Sequence, residues 1–516
     1  MQTQLESIRT SHPDLYRAFS ALPDGEAHLR SVRELDRYWE RLNEPVPEAI
    51  VDAPALPPEA SIEATYDIIY AGGTLGMLHA AVMARRYGRS VMVFDRNTPG
   101  RSTRDWNISR SELFRLEETG VFSADELESV IARKYKTGWV EFHKEDGSQK
   151  RLYMQNVLDC AIEADRLLGI ATGKVESSPG CSVRSGLSFE RCWRFSDHVV
   201  VETRDGAGKR SWFRSKVLVD VMGILSPIAM QLSAGRPQTH VCPTVGTIAS
   251  GLEGVDFETG EILASTAPAD MSGERGRQLI WEGFPAKGDD YITYLFFYDE
   301  VDSANDKSLI GLFDTYFRRL GEYKKPGSGF RVHRPVYGII PAYFHDGFGR
   351  TRPIADDRIL LFGDAASLAS PLTFCGFGSM VRNLGWLTAG LERALLSGEL
   401  DRRTLECVSA YEPNVASMAN LMKYMCFDRE TDEPNFVNDL MNEVMVALDE
   451  LPERYREAMF RDEMKIEELA VVMLRVAWRY PKVLKATWDK LGVDGSLGFL
   501  KNLSGWAFTQ FRQPWW

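Results

Sequence analysis

The sequence lacks any arrangement of cysteine or histidine that would indicate a disulfide framework or a metal centre. Its seven cysteines are odd in number and include no C-x-x-C pair, which favours free thiols in a reducing compartment. Its eight histidines form no H-x-x-x-H or H-E-x-x-H motif. Neither a disulfide-stabilised secreted domain nor a protein-bound metal is therefore expected.

Long apolar runs and basic runs are also missing. The most apolar window, 469–478, contains Arg475 and is shorter than the roughly 18 apolar residues that a membrane span needs. The first residues are mixed in charge, which is not typical of an export signal. The net charge is −12 without a lysine- or arginine-rich run, so nucleic acid is not an expected partner. We expect a cytoplasmic protein that is not secreted and has no transmembrane span.

The sequence does contain a strand, a glycine-rich turn, an alanine-rich helix that Gly88 should end, and a second strand, all between 66 and 95. This β-α-β pattern predicts an α/β fold with a doubly wound sheet. Dinucleotide-binding turns use three glycines, and their places here hold Ala71, Gly73 and Gly76. Asp95 ends the second strand, where a carboxylate can accept from ribose hydroxyls. The predicted contact residues at this adenine end are Gly72, Gly73, Thr74, Leu75, Gly76, Asp95 and Arg96.

A second candidate cofactor segment is RILLFGDAASLASPLTFCGFGSM, residues 358–380. A carboxylate at the end of its strand can bind a ribityl hydroxyl, and glycines at the following helix start let backbone amides meet an anionic ring oxygen. The two motifs in this order favour FAD, whose ADP and flavin ends must both be held. The predicted contact residues at the flavin end are Gly363, Asp364, Pro371, Gly376, Phe377 and Gly378.

Two further helix starts follow the first β-α-β unit. Ser109-x-x-Glu112 and Ser123-x-x-Glu126 both have the capping-box pattern, in which the serine accepts from an amide three residues on and the glutamate reaches back. Both patterns predict local helix stability and carry no function.

Five segments of the chain resemble the lycopene cyclase family of the CruA/CruP type, and the resemblance covers about residues 60 to 400 in order. It implies an FAD-binding, Rossmann-like domain of the p-hydroxybenzoate-hydroxylase type, similar to aromatic-ring hydroxylases and geranylgeranyl reductases, with an inserted antiparallel substrate domain. The segments are AGGTLG (71–76), TRDWNISRSEL (103–113), VCPTVGTIASGL (241–252), LIWEGFPA (279–286) and GDAASLASPLTFCGFGSMVRNLG (363–385).

The resemblance also implies a division of the chain and a reaction. The division is a helical N-terminal extension and linker (1–64), the FAD-binding domain in two parts (65–235 and 346–400), the substrate domain (236–345) and a helical C-terminal region (401–516). The implied reaction converts a linear carotene to a β-ionone ring without net redox change, with reduced FAD taking part. A proton adds to the terminal double bond, the neighbouring double bond attacks the cation, and loss of a proton completes the ring.

Carried over to this sequence, the resemblance assigns roles to particular residues. Gly73, Gly76 and Asp95 would hold ADP, and Arg110 would meet the pyrophosphate or the flavin edge. Asp364, with Gly376 and Gly378, would seat the ribityl chain and the ring. The sequence departs from the family pattern at Ala71, at Cys375 and at 220–223, where DVMG stands in place of Asp-Ala-Thr-Gly.

Glu282 is the implied acid and base of the reaction. It resembles the glutamate that other flavin-type lycopene cyclases carry on a strand of the substrate domain. Burial beside Trp281, Phe284 and an apolar polyene should raise its pKa, so that it keeps a proton to donate.

Other functions fit the same residues. An FAD-dependent oxidoreductase, either a monooxygenase or an isoprenoid reductase, would use NAD(P)H on the same fold. Flavin halogenases are disfavoured because the W-x-W-x-I-P segment is absent. A non-catalytic carotenoid-binding flavoprotein is the remaining alternative.

The end of the chain bears on a possible membrane partner. Residues 495–516 place aromatic and aliphatic side chains among Lys501 and Arg512, which is typical of a segment lying at a membrane surface. A terminal helix docked on the body is the alternative. The expected partners are therefore a hydrophobic isoprenoid or carotenoid substrate and, peripherally, a membrane surface.

Overall fold

The computed structural model describes residues 4–52, 55–343, 352–373, 376–410, 412, 415 and 420–512. Cys375, one of the departures from the family pattern, lies outside these ranges. The helices are α1 (Pro13–Ser20), α2 (Gly25–Arg41), α3 (Gly76–Tyr87), α4 (Arg110–Leu113), α5 (Ala124–Val130), α6 (Ala164–Glu176), α7 (Pro227–Leu232), α8 (Leu309–Tyr323), α9 (Gly376–Ser397), α10 (Arg402–Glu406), α11 (Phe436–Asp449), α12 (Glu453–Phe460), α13 (Ile466–Arg479) and α14 (Lys482–Arg512).

The strands fall into three sheets. They are β1 (Ile50–Val51), β2 (Ile62–Ala71), β3 (Val91–Asp95), β4 (Trp106–Ile108), β5 (Ile131–Lys134), β6 (Thr137–Glu141), β7 (Leu152–Met154), β8 (Cys160–Ile162), β9 (Ser182–Ser185), β10 (Leu187–Arg194), β11 (Val199–Asp205), β12 (Arg210–Asp220), β13 (His240–Glu253), β14 (Thr259–Ala264), β15 (Ile280–Pro285), β16 (Tyr291–Phe296), β17 (Asp299–Glu300), β18 (Lys325–Ala342), β19 (Ala355–Asp356) and β20 (Ile359–Leu361).

The first sheet has a parallel centre in which β20, β12, β2, β3 and β9 are successive neighbours. Its strands are runs of apolar residues because helices and loops cover both faces. Asp220 at the end of β12 pairs in register with Ala71 of β2 and with Leu361 of β20. The chain therefore leaves all three strands at one edge, and the two predicted cofactor motifs both begin there.

The second sheet is largely antiparallel and runs in the order β17-β13-β16-β15-β14-β6-β7, with β18 beside β13. One face packs against α8 and the N-terminal helices, and the other packs against the C-terminal helical region. Two of its strands, β6 and β7, come from 137–154, outside the predicted substrate domain. The proposed domain boundaries remain a prediction.

The N-terminal extension is attached to both halves of the molecule. Asp36 of α2 accepts hydrogen bonds from the amides of Leu309 (2.7 Å) and Ile310 (3.2 Å), which open α8. Two residues earlier, Glu34 forms an ion pair with Arg96 at 2.8 Å. Part of the expected linker is also structured, because β1 pairs with β10.

The two capping-box predictions have different outcomes. Ser123 and Glu126 form the reciprocal bonds of the box. Ser109 precedes α4 but makes no capping bond, so that prediction is wrong. Its buried hydroxyl accepts from the Leu158 amide at 3.0 Å, and Glu112 pairs with Arg382. Long-range partners replace the local box because both side chains are buried.

The C-terminal region is helical, and its tail docks on the body. Phe499 and Trp506 are buried, which agrees with the docked-helix alternative for this segment. Gly492, with φ 59°, kinks α14. Among the described residues, no helix has both the length and the apolar character needed to cross a membrane.

Candidate cofactor and substrate site

The turn at 72–76 needs glycines because neighbouring parts of the protein lie very close to its backbone. Gly72 has φ +110°, and a Cβ at Gly73 would lie 2.6 Å from the Pro99 Cβ atom. A Cβ at Gly76 would lie 2.5 Å from Cγ2 of Val221. Ala71 is still part of β2 and does not have a positive φ, so its methyl group is accommodated without strain.

Asp95 organises the turn from the neighbouring strand. Its Oδ2 accepts from the Gly73 amide at 2.9 Å, and its Oδ1 accepts from the Asn97 amide at 2.8 Å. A carboxylate has further lone pairs, so these two bonds leave acceptor capacity for a ribose hydroxyl. Thr74 donates to the Arg101 carbonyl at 3.3 Å, and Leu75 directly precedes α3. The structure therefore brings the predicted adenine-end residues together, with Arg96 beside them.

The flavin-end motif starts at the same sheet edge. Gly363 has φ +59° immediately after β20, and Asp364 follows it. Burial raises the pKa of the Asp364 carboxyl, and the Arg104 guanidinium opposes that shift. Arg104 is a site residue that the sequence reasoning missed, although it stands in the quoted segment TRDWNISR.

The loop and helix after Asp364 pack against residues of the other two sheets. The Pro371 carbonyl accepts from the Tyr298 hydroxyl at 3.1 Å, and Phe377 stacks on Trp106 with ring centroids 4.3 Å apart. A Cβ at Gly378 would lie 2.8 Å from Oε1 of Glu112. At Gly376, where α9 begins, the one atom of the described residues that an added Cβ would meet is the Ala369 Cβ, at 3.8 Å. The described residues therefore do not crowd this helix start.

An ion cluster lies behind Gly378. Arg382 on α9 is buried and pairs with Glu112, with Glu412 (3.3 Å) and with Asp462 (3.7 Å). Asp462 follows α12, so the cluster ties the flavin-end helix to the C-terminal region.

Arg110 is held away from these residues by its own contacts. Its backbone amide donates to Asp159 at 2.6 Å, and its guanidinium pairs with Glu128 at 3.0 Å. The same guanidinium lies 4.1 Å from the Phe114 ring centroid. No described contact joins Arg110 to the glycine-rich turn or to Asp364.

Glu282 lies on β15, opposite Tyr294 of β16, and is only 5% exposed. Burial raises the pKa of its carboxyl to about 8, and the side chain of Asn107 counters part of that shift. Phe284, two residues along the same strand and buried, lies on the same face. At neutral pH the carboxyl is therefore protonated and faces apolar surroundings.

The segment 104–107 joins Glu282 to the flavin end. Arg104 lies at Asp364, Trp106 lies on Phe377, and Asn107 lies beside Glu282. The Tyr294 hydroxyl donates to the carbonyl of Asp105 at 3.0 Å. The four consecutive residues 104–107 thus contact Glu282 as well as the two flavin-end residues Asp364 and Phe377.

Comparison with known proteins is informative at the level of structure. No family model and no curated protein matches the sequence. A geranylgeranyl bacteriochlorophyll reductase-like protein from Thermoplasma acidophilum matches with TM-score 0.53 and 17% identity, over 83% of this chain and 99% of that one. The halogenase PltM, as a variant in complex with FAD, matches with TM-score 0.54 and 13% identity over 85% and 96% of the two chains.

A third solved structure is p-nitrophenol 4-monooxygenase PnpA from Pseudomonas putida, with TM-score 0.51 and 15% identity over 78% of this chain and 99% of that one. The chain has the fold of FAD-binding flavoproteins. The expected fold class is thereby confirmed, including the helical C-terminal region. At these identities the likeness concerns the fold, and the cyclase resemblance rests on the sequence segments.

Proposed function

We propose that the protein is an FAD-dependent enzyme that cyclises the end of a linear carotene by acid-base chemistry. The observation that carries the proposal is Glu282, a buried carboxyl whose pKa of about 8 keeps it protonated at neutral pH. A general acid is most effective when its pKa lies near the working pH. Proton addition to a carbon-carbon double bond requires such a donor in apolar surroundings.

The residues present fit FAD at both ends. Gly76 allows the start of α3 to pack closely against Val221, as the third glycine of a dinucleotide-binding turn does, and Gly73 stands at the place of the glycine that faces the pyrophosphate. Asp95 and Asp364 can accept from the ribose and ribityl hydroxyls, and the start of α9 offers amide donors to a ring oxygen. Reduced flavin, when bound, supplies an electron-rich ring that can stabilise a neighbouring carbocation without net oxidation.

The side chains of the protein provide the proton donor and the apolar surface that surrounds the substrate and excludes water. Glu282 donates its proton to the terminal double bond, and its carboxylate is then the base that removes a proton after ring closure. Tyr294 and Tyr298, both buried, present aromatic surface on the same face of the sheet. Aromatic faces attract positive charge and so favour the cation that forms between the two proton transfers.

An FAD-dependent oxidoreductase is the second candidate, and the solved structures favour it. They include a monooxygenase and a reductase-like protein. In that case NAD(P)H would be consumed in step with product, and the product would differ from the substrate in its redox state rather than being its isomer.

The first experiment is expression in bacteria that accumulate lycopene, followed by pigment chromatography and an absorption spectrum of the purified protein. A flavin spectrum with γ- or β-carotene, both lost as products in Glu282→Gln while the flavin stays, supports the cyclase. Flavin with an unchanged pigment that co-purifies indicates a carrier, and NADPH-dependent change indicates the oxidoreductase. The absence of flavin in all preparations contradicts the cofactor assignment.

We also propose that the protein meets a membrane surface peripherally, through the outer face of α13 and α14. Trp478 is 82% exposed and Trp488 is 64% exposed. Leu474 and Leu484 stand one helical turn before these tryptophans and are exposed too. This outer face, rather than the buried Phe499 and Trp506 of the tail, supports the proposal, since exposed tryptophans are typical of membrane interfaces.

A further inference from the structure

The side chain beside the Glu282 carboxyl that can lower its pKa is the amide of Asn107. Within the described residues, the structure shows no ion pair for this carboxyl. Neutral groups surround it on the packed elements, and burial raises the pKa of each above its ordinary value. They are Tyr135, Cys242, Tyr294 and Tyr298, with Tyr291 and Tyr323 from the other face of the sheet. None of them carries charge near neutral pH. The Asn107 amide is therefore the neighbour that can stabilise the ionised form of Glu282.

Asn107 is itself held from behind. The hydroxyl of Tyr135, which is buried, donates to Oδ1 of Asn107. The other end of the amide, Nδ2, is buried and has no hydrogen-bond partner in the described part of the chain. A buried amide nitrogen without a partner is costly, and the neighbouring group that can satisfy it is the Glu282 carboxyl.

The orientation of the amide follows from Tyr135. In the structure the Tyr135 hydroxyl donates to the amide oxygen, so the NH₂ group is directed to the opposite side. If the amide turned over, its oxygen would face Glu282 and would repel the ionised carboxylate. The hydrogen bond from Tyr135 thus selects the orientation in which Asn107 stabilises the ionised acid.

We propose that Asn107, oriented by Tyr135, is the positioning residue that sets the acidity of Glu282. It acts through Glu282 and makes the proton available, because without a donor a carboxyl in this environment would hold its proton too tightly to give it up. The inference rests on the proposed acid role of Glu282 for its meaning in the reaction, but the contact among the three residues does not.

The test is the titration of Glu282 in the purified, flavin-containing protein, followed by the infrared carbonyl band of the protonated carboxyl across a pH series. The band that Glu282→Gln removes belongs to Glu282. Removal of the amide donor that the ionised carboxylate would use should raise the midpoint in Asn107→Leu by about one pH unit or more. Tyr135→Phe should raise it in the same direction by less, since the amide can then turn.

Tyr153→Phe is the matched control, because that tyrosine lies exposed on β7 of the same sheet as Glu282. The titration midpoint of Glu282 in this variant should equal that in the native protein. An unchanged or lower midpoint in Asn107→Leu overturns the proposal. An unchanged midpoint in Tyr135→Phe, which is a mild substitution expected to fold, overturns the orienting role of Tyr135. Shifted midpoints in a protein that leaves lycopene unchanged would instead reject the cyclase and keep this inference.

Discussion

Arg104 and Asp364 face each other at the flavin end of the site, with Nη2 of the arginine 3.9 Å from Oδ2 of the aspartate. The arginine comes from the loop before β4, and the aspartate follows β20 of the first sheet. A Cβ at Gly338 would lie 3.2 Å from the Arg104 guanidinium carbon, so the glycine leaves room for that side chain. Arg104 therefore lies between Asp364 at the edge of the first sheet and Gly338 on β18 of the second sheet.

The contact with Asp364 predicts different roles for Arg104 and Arg110, the two arginines that follow Thr103 in the segment TRDWNISRSEL. Arg104 lies beside Asp364, the predicted contact of the ribityl chain. Arg104→Gln should therefore lower flavin affinity. The loss should be about tenfold or more, the usual effect of removing a charged hydrogen bond to a ligand. Arg110→Gln should leave affinity close to native, because Arg110 is occupied by Glu128 and Phe114. Flavin fluorescence titration of both variants measures the difference. The reverse order of effects would restore the role that the sequence resemblance gave to Arg110.

The turn at the adenine end makes a steric prediction. Gly73→Ala should strongly reduce flavin content, since its methyl group would lie 2.6 Å from the Pro99 Cβ atom. Gly169→Ala on α6 is the control, because no described residue outside the helix's own turns lies within 4 Å of the added methyl group. Flavin content per chain after purification is the measurement. Equal flavin in both variants would show that this turn does not approach the cofactor.

The acidity of Glu282 predicts a pH profile and a stability gain. Activity that needs the protonated acid should fall as the pH rises through about 8. The pKa is higher in the folded than in the unfolded chain, so the ionisable group lowers stability progressively from about 4.5 to about 8. Glu282→Gln should therefore be inactive yet more stable at alkaline pH, by a few kcal/mol at about 1.4 kcal/mol per pKa unit. Urea unfolding of both proteins at two pH values checks this, and equal stability at the higher pH contradicts it.

The ion cluster behind Gly378 should be important for stability. Arg382→Met leaves the buried Glu112 without the cation that pairs with it, which typically costs about 3–5 kcal/mol. Arg393→Met is the control, because that side chain stacks on the exposed Trp386. Equilibrium denaturation gives both values, and a loss in Arg382→Met no larger than in the control would mean that the cluster is solvated.

The outer face of the C-terminal helices can be tested with vesicles. Trp478→Ser combined with Trp488→Ser should release the protein from phospholipid vesicles in flotation, while removal of residues after 507 should not. Tryptophan fluorescence should shift to shorter wavelength on vesicle binding in the native protein alone. Retained flotation in the double variant would exclude this face as the contact, and loss of a dimer instead would identify it as a self-association surface.

Local patterns in the sequence predicted what local physics decides. The turn at Gly72–Gly76, the end of α3 at Gly88 and the capping box at Ser123 all depend on neighbours within a few residues. The α/β class followed from the β-α-β pattern between 66 and 95, and the flavoprotein type of the fold followed from the family resemblance. The solved structures confirmed the fold class.

Predictions failed or stayed open where distant residues decide. The box at Ser109 is replaced by Leu158 and Arg382, which the sequence gives no way to place. Arg104 and Arg110 stand six residues apart with equal charge, and only the three-dimensional arrangement of Asp364 and Glu128 distinguishes them. The relation of Asn107 to Glu282 is of the same kind, since it joins two sheets.

The hydrogen bonds that the amides at the start of α8 donate to Asp36 span 273 and 274 residues of chain. During synthesis, α1 and α2 leave the ribosome long before their docking surface exists, and most of the stability of a helix in a protein comes from such packing. These helices must therefore wait, with their apolar faces uncovered, until α8 and the second sheet have formed. These helices are therefore among the last elements to be placed although they are made before α8, so folding should be slow and its late step sensitive to changes at Asp36.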